Sequence, residues 1–171
     1  FINYPIGDKR IFLLFGNIRK DKGHLFLKSI WNKFFNSPND PYLWIVGHDE
    51  EKLSKSILKI PSPNIVLHNS YVPFELISCI YQKSDFAILP YLSFYSGGSG
   101  PLMKGAFTHS KLAIVSNVSE MGRLAKEENL AEFFTSENPQ SVVNCIKNVL
   151  EKKDEYYSDK IKRAFTYANE R

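Results

Sequence analysis

Short apolar runs alternate with helix-like stretches along the chain. Six runs of strand length, rich in Ile, Val, Leu and Phe, lie at 11–16, 42–47, 64–69, 85–90, 111–117 and 131–136. Within each run the apolar residues follow one another instead of alternating with polar ones, which is typical of strands covered on both faces. The pattern therefore predicts six strands of a buried parallel sheet.

Between these runs the apolar residues take helical spacing. The spacing predicts helices over 24–35, 73–84 and 138–153, and a more polar helix from Asp154 onward. A further helix is predicted to begin at Pro101. Strand–helix alternation of this kind predicts an α/β fold, a doubly wound parallel sheet of about six strands with helices on both faces.

The domain organisation follows from length and continuity. No repeat, low-complexity tract or linker divides the 171 residues, so we predict a single domain over residues 1–171. The chain opens on "FINYPIG" without a methionine. We therefore expect it to be part of a longer protein.

Composition and charge exclude several classes of function. The net charge of +4 comes from 22 basic and 18 acidic residues that are spread along the chain, so we expect no nucleic-acid partner. No pair of the four histidines has metal-ligand spacing, so we expect neither a metal nor another cofactor. Cys79 and Cys145 lie far apart and are expected to be buried free thiols in a reducing, cytoplasmic compartment.

The loop after the first predicted strand carries the first candidate chemistry. In a parallel sheet, ligands bind where loops leave the carboxyl ends of the strands. Here "GNIRKDKGH" places Arg19, Lys20 and Lys22 just before a helix, although a helix N-terminus favours negative charge. A forked guanidinium and an ammonium together suit a diphosphate, and the alternative is an ordinary solvated basic loop.

The loop after the fourth predicted strand carries the second set of candidate site residues. The stretch "YSGGSGPLMKG" matches neither the Walker A motif nor the dinucleotide fingerprint. Its glycines would let a ligand approach the backbone, and the free N–H groups that open the next helix could bind phosphate oxygens. The alternative is a flexible loop. If both loops bind a ligand, they are predicted to converge on one anionic group.

Four segments in this order resemble a known family: "FGNIRKDKGHLFLKSIW", "YLWIVG", "NIVLHNSYVPFELISCIYQKSDFAILPY" and "SGGSGPLMKGAFTHSKLAIVSN". Together they are similar to the C-terminal half of the family 4 (group 1) glycosyltransferases of the GT-B architecture. The resemblance runs from about residue 10 to residue 152, and "FGNIRKDKG" is its most specific element. It implies the Rossmann-like, donor-binding half of a GT-B enzyme, with the N-terminal acceptor domain absent from this chain.

The resemblance also implies roles for particular residues. Arg19 and Lys22 would be the catalytic, diphosphate-binding pair, with Asn17 standing where the family more often has an arginine. Tyr71 and Val72 would lie against the nucleotide base, and the glycine loop would hold the phosphates and the donor sugar. The full set of implied donor-binding residues is Gly16, Asn17, Tyr71, Val72, Gly98, Ser99, Gly100, Pro101 and Leu102.

One feature of the family pattern is missing. The family has two glutamates separated by seven residues, one of which contacts the donor sugar and the other the ribose hydroxyls. Gly97 and Gly105 occupy the nearest positions here. Ribose recognition is therefore left unassigned.

The implied function is transfer of a sugar from a nucleotide-diphosphate sugar donor to a glycan or lipid-linked acceptor. The resemblance further implies retention of configuration, no metal, and a role in bacterial surface polysaccharide biosynthesis. The whole enzyme would be cytoplasmic, associated peripherally with the inner face of the membrane, and this fragment alone would be inactive. Two alternatives stay open: a catalytically inactive GT-B-like domain that binds a nucleotide or phosphosugar, and a nucleotide-sugar epimerase of the same architecture.

Overall fold

A computed structural model describes residues 2–170 and contains one six-stranded sheet. All neighbouring strands pair in parallel, in the order β3-β2-β1-β4-β5-β6. The strands are β1 (Ile11–Phe15), β2 (Tyr42–Gly47), β3 (Ile65–Asn69), β4 (Phe86–Leu89), β5 (Leu112–Ser116) and β6 (Glu132–Phe134). The predicted parallel sheet is thus confirmed.

Helices cover both faces of this sheet. They are α1 (His24–Phe34), α2 (Ser54–Leu58), α3 (Phe74–Lys83), α4 (Ser119–Glu127), α5 (Pro139–Glu151) and α6 (Ser158–Asn169). A π-helix spans Pro101–Phe107, and short 3-10 helices span Lys20–Lys22 and Asp154–Tyr157. Over residues 2–170, none of the helices is long and apolar enough to cross a bilayer.

The sheet separates two apolar cores. Alternate side chains of each central strand enter opposite cores: Leu13 of β1 packs on the face of α3, the π-helix and α6, whereas Phe12 packs on the face of α1 and α5. Because both faces are covered, the strands need apolar residues at every position, which explains their continuous apolar runs.

The strand order places a crevice at the carboxyl edge of the sheet. The chain builds outward from β1 to β3 and then returns to add β4 on the other side of β1. The loops that follow β1 and β4 therefore leave the sheet in opposite directions, and the gap between them is where ligands bind in sheets of this topology. These are the two loops that the sequence singled out.

The cysteines depart from the sequence expectation. Both thiols are free, but Cys79 is exposed and Cys145 is only partly buried. Cys79 lies on α3, between the exposed Ser78 and the buried Ile80, and its own side chain is exposed, so the predicted burial of this thiol is wrong. Burial raises the pKa of the Cys145 thiol to about 12.

Candidate functional site

The loop after β1 is packed tightly against the start of the loop after β4. Gly23 has a φ of +74°, and a Cβ there would lie 1.9 Å from the carbonyl oxygen of Pro90, so a residue with a side chain does not fit. Close by, the Leu92 N–H donates to the carbonyl oxygen of Asp21 at 2.9 Å. These contacts join the two loops at the base of the crevice.

The two loops meet again at Gly16. A Cβ on Gly16 would lie 3.1 Å from Cγ of Pro101 and 3.4 Å from Nζ of Lys22. The Gly16 N–H donates to the carbonyl oxygen of Val46 at 2.9 Å, which fixes the loop to β2. The ammonium of Lys22 and the beginning of the π-helix therefore lie on either side of one backbone position.

A cavity of about 770 Å³ opens at this point, within the size range of small-molecule sites. Its walls come from the loop after β1, from α3 and from the π-helix. Five residues implied by the resemblance line it: Gly16, Asn17, Lys22, Gly100 and Pro101. The sequence did not assign a site role to the other polar and aromatic residues of the walls, among them Phe74, Glu75, Ser78, Lys104, Thr108 and His109.

The ammonium of Lys22 is partly buried. Across residues 2–170, no acceptor lies within hydrogen-bonding or ion-pairing distance of its ammonium. Burial lowers the pKa of Lys22 and the nearby Arg19 guanidinium lowers it further, against smaller opposing effects of the Asp21 and Glu50 carboxylates. A bound anion would offset both effects, so the geometry and the electrostatics suit a negatively charged ligand.

Arg19 is placed differently. Its guanidinium forms two hydrogen bonds to the Asp21 carboxylate, at 2.6 Å from Nη2 and 3.1 Å from Nε, and lies 3.8 Å from a carboxylate oxygen of Glu50. The hydrogen bond to Asp21 is the main reason that the pKa of Arg19 is raised. Arg19 does not line the cavity, so the structure does not bring it together with Lys22.

The glycine loop offers free backbone donors. Within the part of the chain that the structure describes, the N–H groups of Gly98, Ser99 and Gly100 donate to no protein acceptor. A Cβ on Gly98 or Gly100 would meet nothing within 4 Å, so the space over these residues is open. The Ser99 hydroxyl is engaged within the protein, because its oxygen accepts from the Leu102 N–H at 3.1 Å and lies 3.3 Å from the hydroxyl oxygen of Tyr91.

Of the glycine loop only Gly100 lines the cavity, and Gly98 and Ser99 do not. Three other implied residues also lie away from it. Leu102 and Val72 are buried in the core beneath the π-helix. Tyr71 is 77% exposed and lines a separate cavity beside His48. Phe74, three residues further on, is the exposed aromatic residue of this segment that lines the cavity of Lys22.

Tyrosines fill the space at the two positions where the resemblance implies glutamates. A Cβ on Gly105 would lie 2.1 Å from Oη of Tyr81, and one on Gly97 would lie 2.8 Å from Oη of Tyr95. Tyr81 is fully buried and donates its hydroxyl to the carbonyl oxygen of Pro101 at 3.1 Å. Residue 105 can therefore carry no side chain while Tyr81 keeps its position.

No candidate metal centre is present between residues 2 and 170. No three His, Cys, Asp or Glu side chains in that range are grouped so that they could hold an ion. The expectation that the reaction needs no metal stays a prediction.

Comparison with solved structures shows the same fold in several glycosyltransferases. The C-terminal domain of LpcC from Francisella tularensis, a glycosyl transferase group 1 protein, has a TM-score of 0.76 at 12% identity, over 95% of this chain and 85% of that one. HepE from Anabaena, in complex with UDP and glucose, has a TM-score of 0.75 at 16% identity, over 95% and 44% of the two chains. WaaG, a glycosyltransferase involved in lipopolysaccharide biosynthesis, has a TM-score of 0.70 at 15% identity, over 95% and 43%.

This chain spans less than half of the length of HepE and of WaaG. At sequence identities of 12–16%, the likeness to the three structures shows the fold alone. No curated protein sequence matches the chain. A family model, by contrast, covers nearly all of it: the model for glycosyl transferases group 1 matches residues 2–167. The chain therefore belongs to the group 1 glycosyl transferase family, as its sequence motifs predict.

Proposed function

We propose that this chain is the donor-binding part of a glycosyltransferase that takes a sugar from a nucleotide-diphosphate sugar. One observation carries the proposal. The unpaired ammonium of Lys22 lies against Gly16 and Pro101, at the crevice between β1 and β4, where the π-helix begins. Membership of the glycosyl transferase family supports the same reaction class.

In this proposal the donor diphosphate lies between Lys22 and the free N–H groups of Gly98, Ser99 and Gly100. When the bond between sugar and phosphate breaks, negative charge grows on the departing diphosphate. An ammonium and backbone donors that are already in place would stabilise that charge without reorganising. The reaction then needs no metal. Arg19 would contribute after its guanidinium exchanges the Asp21 carboxylate for a phosphate.

The nucleoside would occupy the α3 side of the cavity. The base is proposed to lie toward the turn of Tyr71 and Val72, with the exposed ring of Phe74 as a surface for stacking. HepE, a structural neighbour, was crystallised with UDP and glucose, which supports a nucleotide sugar as the ligand class.

The remaining parts of the reaction are proposed from the family and its structural neighbours. The acceptor, a glycan or lipid-linked sugar, would bind to an N-terminal domain outside this chain, and transfer would retain the anomeric configuration. WaaG acts in lipopolysaccharide biosynthesis, which supports a role in bacterial surface polysaccharides. The whole enzyme would then act in the cytoplasm, at the inner face of the membrane.

Alanine substitutions in the first loop test the proposal. We expect Lys22→Ala to weaken the binding of a nucleoside diphosphate at least about tenfold, because a charge-assisted contact to phosphate is lost. Lys20→Ala is the matched control, since Lys20 lies two residues away, is exposed and does not line the cavity. Arg19→Ala should weaken binding less than Lys22→Ala does.

Calorimetric titration with UDP, ADP, GDP and CDP measures these affinities. Equal losses in Lys20→Ala and Lys22→Ala would show only a general effect of charge. Unchanged affinity in Lys22→Ala would remove Lys22 from the site, and the proposal with it.

A second candidate function is an inactive nucleotide-binding domain of the same architecture. It is favoured by the tyrosines at Gly97 and Gly105, because their hydroxyls occupy the space where a side chain at each position would begin. The longer protein would then bind nucleotide sugars and transfer no sugar to any glycan or lipid-linked acceptor. Detection of transfer in an assay with a labelled donor would exclude this candidate.

A further inference from the structure

Among the described residues that line the cavity of Lys22, Glu75 carries the single carboxylate. It is the second residue of α3, is exposed, and among the described residues has neither an ion pair nor a hydrogen-bond partner. Lys22 and Lys104 line the same cavity and are also unpaired within that range. Among its described residues, the cavity thus holds one free carboxylate together with two free ammonium groups.

The chemistry of a carboxylate limits what it can bind. Its oxygens only accept hydrogen bonds, and its charge repels a phosphate. If Lys22 binds the diphosphate, the part of the same ligand that Glu75 can bind is a neutral, hydrogen-donating one. In a nucleoside diphosphate, the donors nearest the phosphates are the two neighbouring hydroxyls of the ribose.

On the π-helix wall of the cavity, the free ammonium of Lys104 can only donate hydrogen bonds, and few groups there can accept them from these hydroxyls. Gly105 has no side chain, and Tyr81 occupies the space where one would stand. The hydroxyl of Thr108 donates to the carbonyl oxygen of Lys104 at 2.8 Å, and Nδ1 of His109 lies 2.8 Å from the carbonyl oxygen of Gly105. These polar atoms therefore already contact backbone carbonyl oxygens of the π-helix.

The α3 wall, in contrast, presents a suitable pair. Glu75 and Ser78 are three residues apart on one helix, so they share a face, and both line the cavity. We propose that Glu75 accepts hydrogen bonds from the ribose hydroxyls of the donor and selects ribonucleotides over deoxyribonucleotides. This inference rests on the proposed function.

The test compares affinities for ribose and 2′-deoxyribose ligands. Calorimetry with UDP, ADP, GDP and CDP, each beside its 2′-deoxy counterpart, gives a ratio of dissociation constants for every base. We expect the unaltered chain to favour the ribose form of its preferred ligand about tenfold, the size of a charge-assisted hydrogen bond. Glu75→Ala should bring that ratio close to one by weakening only the ribose form.

Two further variants separate this role from a structural one. Glu75→Gln keeps the size of the side chain and should give an intermediate ratio of dissociation constants. This variant replaces Glu75→Ala in the test if the alanine variant does not fold. Glu151→Gln removes an exposed carboxylate at the end of α5, away from the cavity, and should leave the ratio unchanged. A purely structural role of Glu75 at the start of α3 would weaken both ligand forms equally.

The outcomes distinguish the two proposals. If no nucleoside diphosphate binds to the unaltered chain, the proposed function is wrong and the inference falls with it. If binding depends on Lys22 but the ribose preference survives in Glu75→Ala, the proposed function stands and the role of Glu75 is overturned.

Discussion

At the scale of single residues, the glycines between β4 and β5 fall into two kinds. Over Gly98 and Gly100 the space is open, so these residues leave room for something other than the protein. At Gly97 and Gly105 the space is taken by tyrosine hydroxyls. Glycine therefore has two different explanations within nine positions. At Gly98 and Gly100 it leaves room for a ligand, and at Gly97 and Gly105 it leaves room for a tyrosine of the protein itself.

Two alanine substitutions test this distinction. Gly105→Ala forces a methyl group against the buried Tyr81 and should lower the free energy of unfolding by about 1–3 kcal/mol, a typical cost of overpacking. Gly100→Ala, at helical φ and ψ of −56° and −45° with open space, should leave it equal or raise it by up to about 1 kcal/mol. Urea unfolding measures both, and equal destabilisation would contradict the packing at Gly105.

At the scale of elements, the sequence predicts the strands and helices that are marked by a run or a regular spacing of apolar residues. The six strands, the four helices at α1, α3, α5 and α6 and the start of the π-helix at Pro101 are confirmed. Two helices had no prediction. The five residues of α2 are too few to show a period, and α4 has few buried apolar residues and is largely polar.

The residues of the candidate site likewise divide into those that the sequence could predict and those that it could not. Gly16, Lys22 and Pro101 were predictable, because they follow strands that lie next to each other at the crevice. Glu75 and Ser78 were not, because the face of α3 that turns toward the cavity depends on tertiary packing. The pairing of Arg19 with Asp21 had a signal in the sequence, since opposite charges two residues apart in a loop can bond, but only the structure shows that they do.

The start of α1 carries a testable dependence on pH. His24 is 1% exposed, and burial lowers its pKa to about 4 from an ordinary value of 6.5. As the pH falls below 6.5, the unfolded chain binds a proton at His24 before the folded chain does, so stability is lost between pH 6.5 and 4. The loss from this one group would be about 3 kcal/mol.

His24→Phe removes the titrating group and keeps an aromatic ring. We expect its free energy of unfolding to fall less steeply than that of the unaltered chain between pH 6.5 and 4. Urea unfolding at several pH values gives both curves. Parallel curves would mean that His24 does not stay neutral in the folded protein.

At the scale of the whole molecule, cations lie at both edges of the sheet. At the carboxyl edge Arg19 pairs with Asp21, but within residues 2–170 the ammonium of Lys22 there has neither a hydrogen bond nor an ion pair. The edge at the amino ends of the strands has a cavity of about 270 Å³ lined by Arg10, Lys111 and Asp154, among others. There Arg10 pairs with Asp154 at 2.7 Å, and the Lys111 ammonium donates to the carbonyl oxygen of Ser84 at 2.7 Å. Net charge alone could not show where an anion binds, whereas the free, partly buried ammonium of Lys22 favours the carboxyl edge.

Titration of isotope-labelled chain with UDP, ADP, GDP and CDP, followed by amide NMR, tests the central claim most directly. The predicted result is that the nucleotide that binds moves the amide signals of Gly16, Gly98, Ser99 and Gly100 most. The amide signals of Arg10 and Lys111, at the opposite edge of the sheet, should stay in place. Shifts centred on Arg10 and Lys111, or no shifts with any of the four nucleotides, would contradict a nucleotide-sugar site between β1 and β4.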